Sequence, residues 1–552
     1  MSSRSWFAAL TLLCGPAALA QLNTGTITGT VTDSSGALVP AVKVAVRNTA
    51  TNLVRDTVTS SSGVYTVANL MVGPYEVTFQ APSFKKLVRA GITLDVTQVV
   101  RVDAAMEVGA VTESVEVTGQ LPYINTDSPE VGANLNRSDL LDVPLSISGG
   151  RYPEALAYSI MPGASGGTWT SHINGSASFS KEVLLDGASV TTYMADFAET
   201  SVSSESLQEM KLQTSGQSAE FGRSQGGLFN FVLKSGSNQV HGSGYFAMRN
   251  EALDANTFTN KFRGAPRAID RLFDYAGSFG GPIYIPKIYN GKNRSFFYTT
   301  YERYKQRAIG PGAPTQSFPI PDEYAGNFSS LLGPATGQTD ALGNPVYRGA
   351  IYDPQSFSQL SNGRWIGTMF PGNIIPTARI SKVSKTISAM ALACCLPTVK
   401  DASGNYPLLN NAVQSASGTP LFDQYNFTEK VDQTINDRNR LSASYSYNYR
   451  PRYLNNSGGN LWDASNPLLG GPLFNQNLQQ IHSSLARASW DRTISPRFLN
   501  NFTVFYNRMN NPNFNQQISH NGAKEWGIAN IDSAGYPSVN WGGGPIYGLS
   551  NI

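Results

Sequence analysis

The sequence predicts a mainly β chain: an N-terminal β-sandwich, a mixed α+β domain, and then the antiparallel strands of a partial transmembrane β-barrel. Three observations predict it. Short strand-like segments separated by turn signals recur from Gly25 to about Glu107. The stretch Ser206 to Gly236 joins an alternating segment to a run that is apolar on both faces. After Gly236, period-two segments are separated by connections that run long, short, very long, short, long, short.

The first region reads TITGTVTD, AVKVAVRN, NLVRDTVT, VYTVANL, PYEVTFQA and QVVRVDAAM. Such spacing suits a β-sandwich, with Asp33-Ser34-Ser35-Gly36 and Gly73-Pro74 as turn signals. No His precedes His172 and no Cys lies between Cys14 and Cys394, so no nucleophile with a base is available here. From Leu121 to Gly236 helical signals (LNRSDLLDVPL, Tyr152 to Met161) mix with strands. The pairs Asn174-Gly175 and Asp186-Gly187 mark tight turns. Gly163-Ala164-Ser165-Gly166-Gly167 spells G-x-S-x-G near His172, yet Pro162 precedes it and strand-like TWTSHINGS follows, against a nucleophile elbow. In Ser206–Gly236, Met210 and Leu212 alternate with Glu209, Lys211 and Gln213, the period of a strand with one buried face. Leu228 to Leu233, LFNFVL, reads as a strand deep inside the fold. Neither glycine-rich phosphate-loop pattern occurs in that stretch.

Beyond it, candidate strands are Gln239 to Arg249, Asp274 to Ile283, Ser295 to Arg303, Asp423 to Gln433, Arg440 to Tyr449, Gln480 to Arg492 and Phe498 to Arg508. The clearest alternation sets Leu441, Ala443, Tyr445, Tyr447 and Tyr449 against Ser442, Ser444, Ser446 and Asn448. Alternation alone does not place a strand in lipid. The asymmetry of connections does, since outer-membrane barrels carry long loops outside and tight turns on the periplasmic side. The longest gap, Tyr304 to Phe422, contains one amphipathic stretch, Ile380 to Leu396, and is expected outside the membrane, helping to capture substrate or close the pore; a disordered insertion is the other reading. After the first twenty residues no apolar run is long enough for a membrane helix.

Charged residues make up only 14% of the chain and the net charge is +3, so no nucleic-acid partner is indicated. At the N-terminus, Arg4, the apolar run Trp6 to Leu13 and Ala18-Leu19-Ala20 read as a secretory signal over residues 1–20, with Gln21 opening the mature protein. A lipoprotein signal at Cys14 is disfavoured by bulky Leu13 before it. Cys394 and Cys395 lie in VSKTISAMALACCLP without a His or acidic cluster, which points to helix packing, with a vicinal disulfide as the alternative; no metal site and no cofactor are expected.

Ala219-Glu220-Phe221-Gly222-Arg223-Ser224, Gly226-Gly227, Asn230 and Lys234-Ser235-Gly236 resemble the end of the plug domain of TonB-dependent outer-membrane transporters, in the Oar-like branch with an extra N-terminal domain; Leu233 departs from that pattern, where such sequences usually have Thr. The first region is similar to a carboxypeptidase-regulatory-like domain, which shares its fold with some carbohydrate-binding modules. The resemblance implies residues 21–110 as sandwich, 111–120 as a TonB-box-like segment, 121–236 as plug and 237–552 as partial barrel. Glu113, Ser114, Val115, Glu116, Val117, Thr118 and Gly119 alternate β-branched and polar residues, a strand-ready stretch expected outside both flanking domains. They resemble a TonB box, which adds a strand to the sheet of a periplasmic energy coupler; the sandwich's last strand, or a linker, is the plainer reading. Trp169, His172, Tyr193 and Phe197 are candidate substrate contacts on plug loops. The family implies transport without catalysis, in the outer membrane of a Gram-negative-type envelope. Its partners would be a TonB-type coupler, outer-membrane lipid and an extracellular nutrient such as an oligosaccharide or siderophore. An extracellular carbohydrate-binding or adhesion protein is the alternative. Family barrels have about twenty-two strands, whereas seven are countable here. The ending, Gly548-Leu549-Ser550-Asn551-Ile552, lacks a terminal aromatic residue, so a fragment of a longer chain, inactive in transport by itself, is expected.

Overall fold

The computed structural model describes residues 24–109, 114–118, 130–142, 153–167, 170–192, 200–217, 221–222, 224–262, 264–309, 315–394, 396–397, 399–408, 412–413, 418–455, 476–495, 498–515 and 518–533. The signal-like N-terminus and Cys395 lie outside them.

Alternation of Val, Ile, Tyr and Phe with polar residues makes the first domain a sandwich. Its strands are β1 (Gly25–Asp33), β2 (Lys43–Asn48), β3 (Val54–Val58), β4 (Val64–Leu70), β5 (Gly73–Gln80), β6 (Lys86–Leu94), β7 (Val99–Arg101), β8 (Ala104–Met106) and β9 (Ser114–Thr118). One sheet runs β4-β1-β7, with β8 also on β1; the other runs β3-β2-β5-β6-β9. Ile27, Val31, Val44, Val46, Val77 and Phe79 meet between them. Tyr65 is buried there and its hydroxyl donates to the Val102 carbonyl at 2.8 Å, so the ring adds apolar area without an orphaned oxygen. Within the first sheet, the link from β7 to β8 passes so close to Gly29 of β1 that a Cβ there would lie 2.0 Å from the Val102 oxygen. Two features differ from expectation. Strand β6 was not foreseen, because Gly91, at φ +78°, interrupts the alternation of KLVRAGITL. The 114–118 stretch, expected outside both flanking domains with the sandwich's last strand as the plainer reading, follows the plainer one: it pairs in parallel with β6 from Lys86↔Ser114 to Ala90↔Thr118.

The second domain centres on a five-stranded sheet. Its strands are β10 (Val131–Asn136), the short pair β11 (Ala164–Ser165) and β12 (His172–Ile173) beside it, β13 (Lys181–Leu185), β14 (Ala188–Ser189), β15 (Leu207–Ser215) and β16 (Gly227–Leu233); the sheet order is β10-β15-β16-β13-β14. Helices Arg137–Asp142 and Pro153–Ile160 fall where the helical signals placed them. Asp186 and Gly187 both take positive φ, +49° and +77°, in the two-residue turn between β13 and β14, as an Asp-Gly hairpin requires. Strand β16 is buried along its whole length.

The third region holds β17 (His241–Arg249), β18 (Ile269–Pro282), the hairpin β19 (Tyr284–Ile285) and β20 (Tyr289–Asn290), and β21 (Ser295–Ile309). The long connection contains β22 (Thr315–Gln316), β23 (Ala335–Thr339), β24 (Pro345–Tyr347), β25 (Ser358–Gln359), β26 (Trp365–Ile366) and β27 (Ala412–Val413). Then follow β28 (Gly418–Asn436), β29 (Asn439–Asn455), β30 (Gln476–Ser495), β31 (Phe498–Asn510) and β32 (Asn513–Asn515). All seven long strands foreseen are present, antiparallel and in sequence order β17-β18-β21-β28-β29-β30-β31, with β32 added on β30. Among the described residues β17 and β31 do not pair with each other, so the barrel is not closed. The long connection is built around buried Asn373, which donates to the Phe328 and Gly349 carbonyls and accepts from the Ile351 amide. Its helix Lys382–Cys394 matches the amphipathic stretch and packs on a second helix, Gly522–Trp526.

Candidate functional site

The long sheet is inside out. On β29, Ser442, Ser444, Ser446, Asn448 and Arg450 are buried, while Leu441 and Tyr445 are exposed. On β31, Phe502, Val504 and Tyr506 are 60%, 57% and 61% exposed, while Thr503 between them is buried. In water this arrangement forfeits the hydrophobic term, whereas in a bilayer the outward band meets acyl chains. Outward Tyr425, Tyr449 and His482 pack as tilted rings with centroids 5.3 and 4.6 Å apart, and the Tyr447 hydroxyl lies 2.8 Å from His482 Nδ1. Clustered aromatic rings with polar edges suit a lipid–water boundary. No helix among the described residues is long and apolar enough to cross a membrane, which says nothing of strands.

The buried polar face is where the second domain sits, the one for which the resemblance implies the role of plug. Lys430 of β28 makes an ion pair with Asp186 at 2.8 Å and donates to the Leu233 carbonyl at 3.1 Å. The two side chains are 4% and 0% exposed, and the other Asp186 oxygen accepts from the Leu233 amide. Burial makes such a pair costly to form and more costly to break by halves. Around it, Glu205 accepts from Arg137 and from Ser243 of β17, Tyr298 of β21 donates to the Glu205 carbonyl, and Thr200 donates to Asn507 of β31. Leu485 of β30 enters the plug's own apolar core. The plug is thus held by polar contacts to the first, middle and last long strands.

The sandwich closes the arrangement from below. Asn238, in the link from β16 to β17, donates to the Ala50 carbonyl, while Asn52 donates to Asn293 and Arg55 to the Asp437 carbonyl at turns between strands of the sheet. It also covers the polar face of β15. Glu209, Lys211 and Gln213, expected to face solvent, are buried beneath the Asp95–Thr97 turn. Burial, and then the neighbouring Asp95, push the Glu209 carboxyl up to about 8. Sandwich, plug and wall meet around a cavity of about 310 Å³ lined by Asn48, Gly73, Leu233, Gly236, Lys430 and Arg440.

Of the candidate substrate contacts, His172 is exposed on β12, and Trp169, Tyr193 and Phe197 lie outside the described residues. Ser165 and His172 are cross-strand partners, but the His172 nitrogens lie 2.8 Å from the Ser176 carbonyl and 3.4 Å from Ser178 Oγ. Of the coupling candidates, Ser114 to Thr118 form β9, and Glu113 and Gly119 lie outside the described residues. Sequence reasoning missed Lys430, Asp186 and Glu205 as contacts. The available signal was the row of charged and amide side chains at Gln424, Asn426, Lys430 and Asp432 on one face of β28, opposite Tyr425, Phe427 and Val431.

The family model described as an outer membrane beta barrel domain matches residues 232–551, and the carboxypeptidase regulatory-like domain matches residues 26–107. The TonB-dependent transporter Oar of Myxococcus xanthus is 32% identical over 289 residues, 50% of this chain and 27% of that protein, so the chain spans about a quarter of that relative's length. Among solved structures, the outer membrane transporter YddB from Escherichia coli matches with a TM-score of 0.35 at 11% identity over 63% of this chain and 34% of YddB. The ferric enterobactin receptor PfeA of Pseudomonas aeruginosa matches with a TM-score of 0.37 at 8% identity, over 70% and 42%. With more than half of its length matched by the barrel domain, the chain belongs to the outer membrane β-barrel domain family and carries a carboxypeptidase regulatory-like domain ahead of the barrel.

Proposed function

We propose that this protein is a TonB-dependent outer-membrane receptor that takes up a large nutrient, an oligosaccharide, siderophore or similar molecule, without catalysing a reaction on it. The observation that carries the reading is the plug: a separate α+β domain is seated on the polar face of an inside-out sheet by a buried ion pair, Lys430 to Asp186. A wall contact of this kind holds the plug when idle and can be exchanged for others when the plug moves. Similarity to Oar supports the reading further. The partners are outer-membrane lipid around the outward aromatic band, an extracellular nutrient above the plug, with Trp169, His172, Tyr193 and Phe197 as its candidate contacts, and a TonB-type coupler below. Residues Glu113 to Gly119 are the coupling segment, β9 offering its outer edge, the one away from β6, to the coupler's sheet.

The test replaces Val115 or Val117 with proline, which deletes a backbone donor and cannot continue a ladder. Nutrient uptake is expected to fall to background in both variants while binding at the cell surface stays at the wild-type level. Normal uptake by both would overturn the coupling assignment, and recovery of the protein in soluble secreted material instead of the outer-membrane fraction would overturn the receptor reading.

A further inference from the structure

The most heavily engineered contact outside the plug–wall junction is the grip of one sandwich turn on plug strand β15. Asp95 to Gln98 connect β6 to β7. At the centre Thr97 adopts φ +55°, a conformation a β-branched residue avoids. The turn is braced internally by Gln98, whose side-chain oxygen accepts from the Asp95 amide. Two plug side chains hold the strained residue: Lys211 Nζ donates to Thr97 Oγ1 at 2.6 Å and to the Val96 carbonyl at 3.2 Å, and Gln213 donates to Thr97 Oγ1 at 3.2 Å. Asn134 of β10 donates to Asp95 at 3.1 Å. Between these grips the Glu209 carboxyl, 4% exposed, accepts from the Val96 amide and faces the Asp95 carboxyl. The charged groups around Glu209 are Asp95 from the sandwich turn and Lys211 from its own strand; Lys211 is also committed to Glu130 at 2.6 Å.

The Glu209 carboxyl is shut away from water with the partly exposed Asp95 carboxyl beside it, and the nearby Lys211 ammonium is shared with Glu130. Such an arrangement closes most favourably with Glu209 protonated. We propose that the Asp95–Thr97 turn is a proton-dependent latch: docking of the sandwich on the plug takes up one proton at Glu209, and loss of that proton loosens the sandwich from β15. The latch depends on the carboxyl pair alone and stands whether or not the segment at β9 couples to a periplasmic partner.

The sign follows from linkage. A free glutamate titrates near about 4.3, whereas docked Glu209 titrates at about 8. The docked state therefore binds the extra proton between those values. Docking is strongest at and below the free value, weakens by up to about tenfold per pH unit as pH rises through the window, and levels off above the docked value.

Hydrogen exchange of the whole protein, read at the Val96 amide and corrected for the intrinsic pH dependence of exchange, tests it. Protection of Val96 is expected to fall steadily between about pH 5 and pH 8 and then level off, while Val77 and Phe79 in the sandwich core hold theirs. Glu209→Gln, which keeps the acceptor and removes the titration, should hold Val96 protected and flat with pH. Asp95→Asn, which removes the opposing charge, should shift the fall to lower pH. A flat wild-type profile, or the same slope in Glu209→Gln and wild type, overturns the latch. If Glu209→Gln fails to fold, an unshifted profile in Asp95→Asn overturns it equally.

Discussion

The sandwich and the long sheet obey the same period-two rule with opposite sense. In β2, Val44 and Val46 turn into an apolar core and Arg47 turns out. In β29, Ser444 and Ser446 turn in and Tyr445 turns out. Identical local geometry thus serves two solvents. In the sandwich, water drives burial of the apolar face. In the long sheet, lipid accepts the apolar face, and the polar face must find partners elsewhere, which the plug supplies. The contrast explains why the plug contacts are polar: a wall lined with Lys430, Asp432 and Asn426 cannot be covered by an apolar surface without stranding buried polar groups.

The largest break in this contrast comes from Lys430→Ala. It strands Asp186, which is fully buried, and the cost is expected at about 3–5 kcal/mol, read as a lowered denaturation midpoint and as a plug more open to protease. Removing both charges together, Lys430→Met with Asp186→Asn, should recover most of that loss. If Lys430→Ala is as stable as wild type, the wall is not what seats the plug.

A sharper comparison uses one substitution on both sheets. Phe79 is fully enclosed in the sandwich, so Phe79→Ala loses transfer energy and leaves a cavity, about 3–5 kcal/mol. Phe502 faces outward on β31, where mobile lipid fills the vacated space, so Phe502→Ala loses the transfer part alone, about 2 kcal/mol. Local stability by hydrogen exchange in bilayer-reconstituted protein measures both. Equal losses would mean that the outward face of β31 is packed against protein.

How much of this was legible follows from the range of each signal. The seven long strands were readable because alternation is local and each strand is long enough to repeat it, as Leu441 to Tyr449 does. Strand β6 was not, since Gly91 breaks the repeat, and neither was β32, with only Asn513, Phe514 and Asn515. Asp186 was read rightly as a turn residue, but its partner Lys430 stands on another domain and no local pattern links them. Likewise Glu209, Lys211 and Gln213 read as a solvent face because their cover, Asp95 to Thr97, arrives from a different domain. What fails in the sequence is the identity of the neighbour, more than the shape of the strand.

The smallest effect isolates the solvent itself. Both sheets carry a forked Arg–carboxylate pair on an outer face: Arg47 with Glu76 on the sandwich, at 2.8 Å through each nitrogen–oxygen contact, and Arg303 with Asp423 on the long sheet, also at 2.8 Å twice. The hydrogen bond from Arg47 holds the Glu76 carboxyl below its usual range. A depressed carboxylate contributes stability that is present above the unfolded value of about 4.3 and is lost as pH falls through the folded value. Arg47 remains 43% exposed, so water and salt screen the pair and the contribution should stay below about 1 kcal/mol. Glu76→Gln should therefore lower sandwich stability slightly at pH 7, less at high salt, and match wild type only once pH has fallen below the depressed folded value of Glu76. A loss well above that bound, insensitive to salt, would place the Arg47–Glu76 face against another part of the protein and remove the simple picture of a sandwich whose outer polar face meets water.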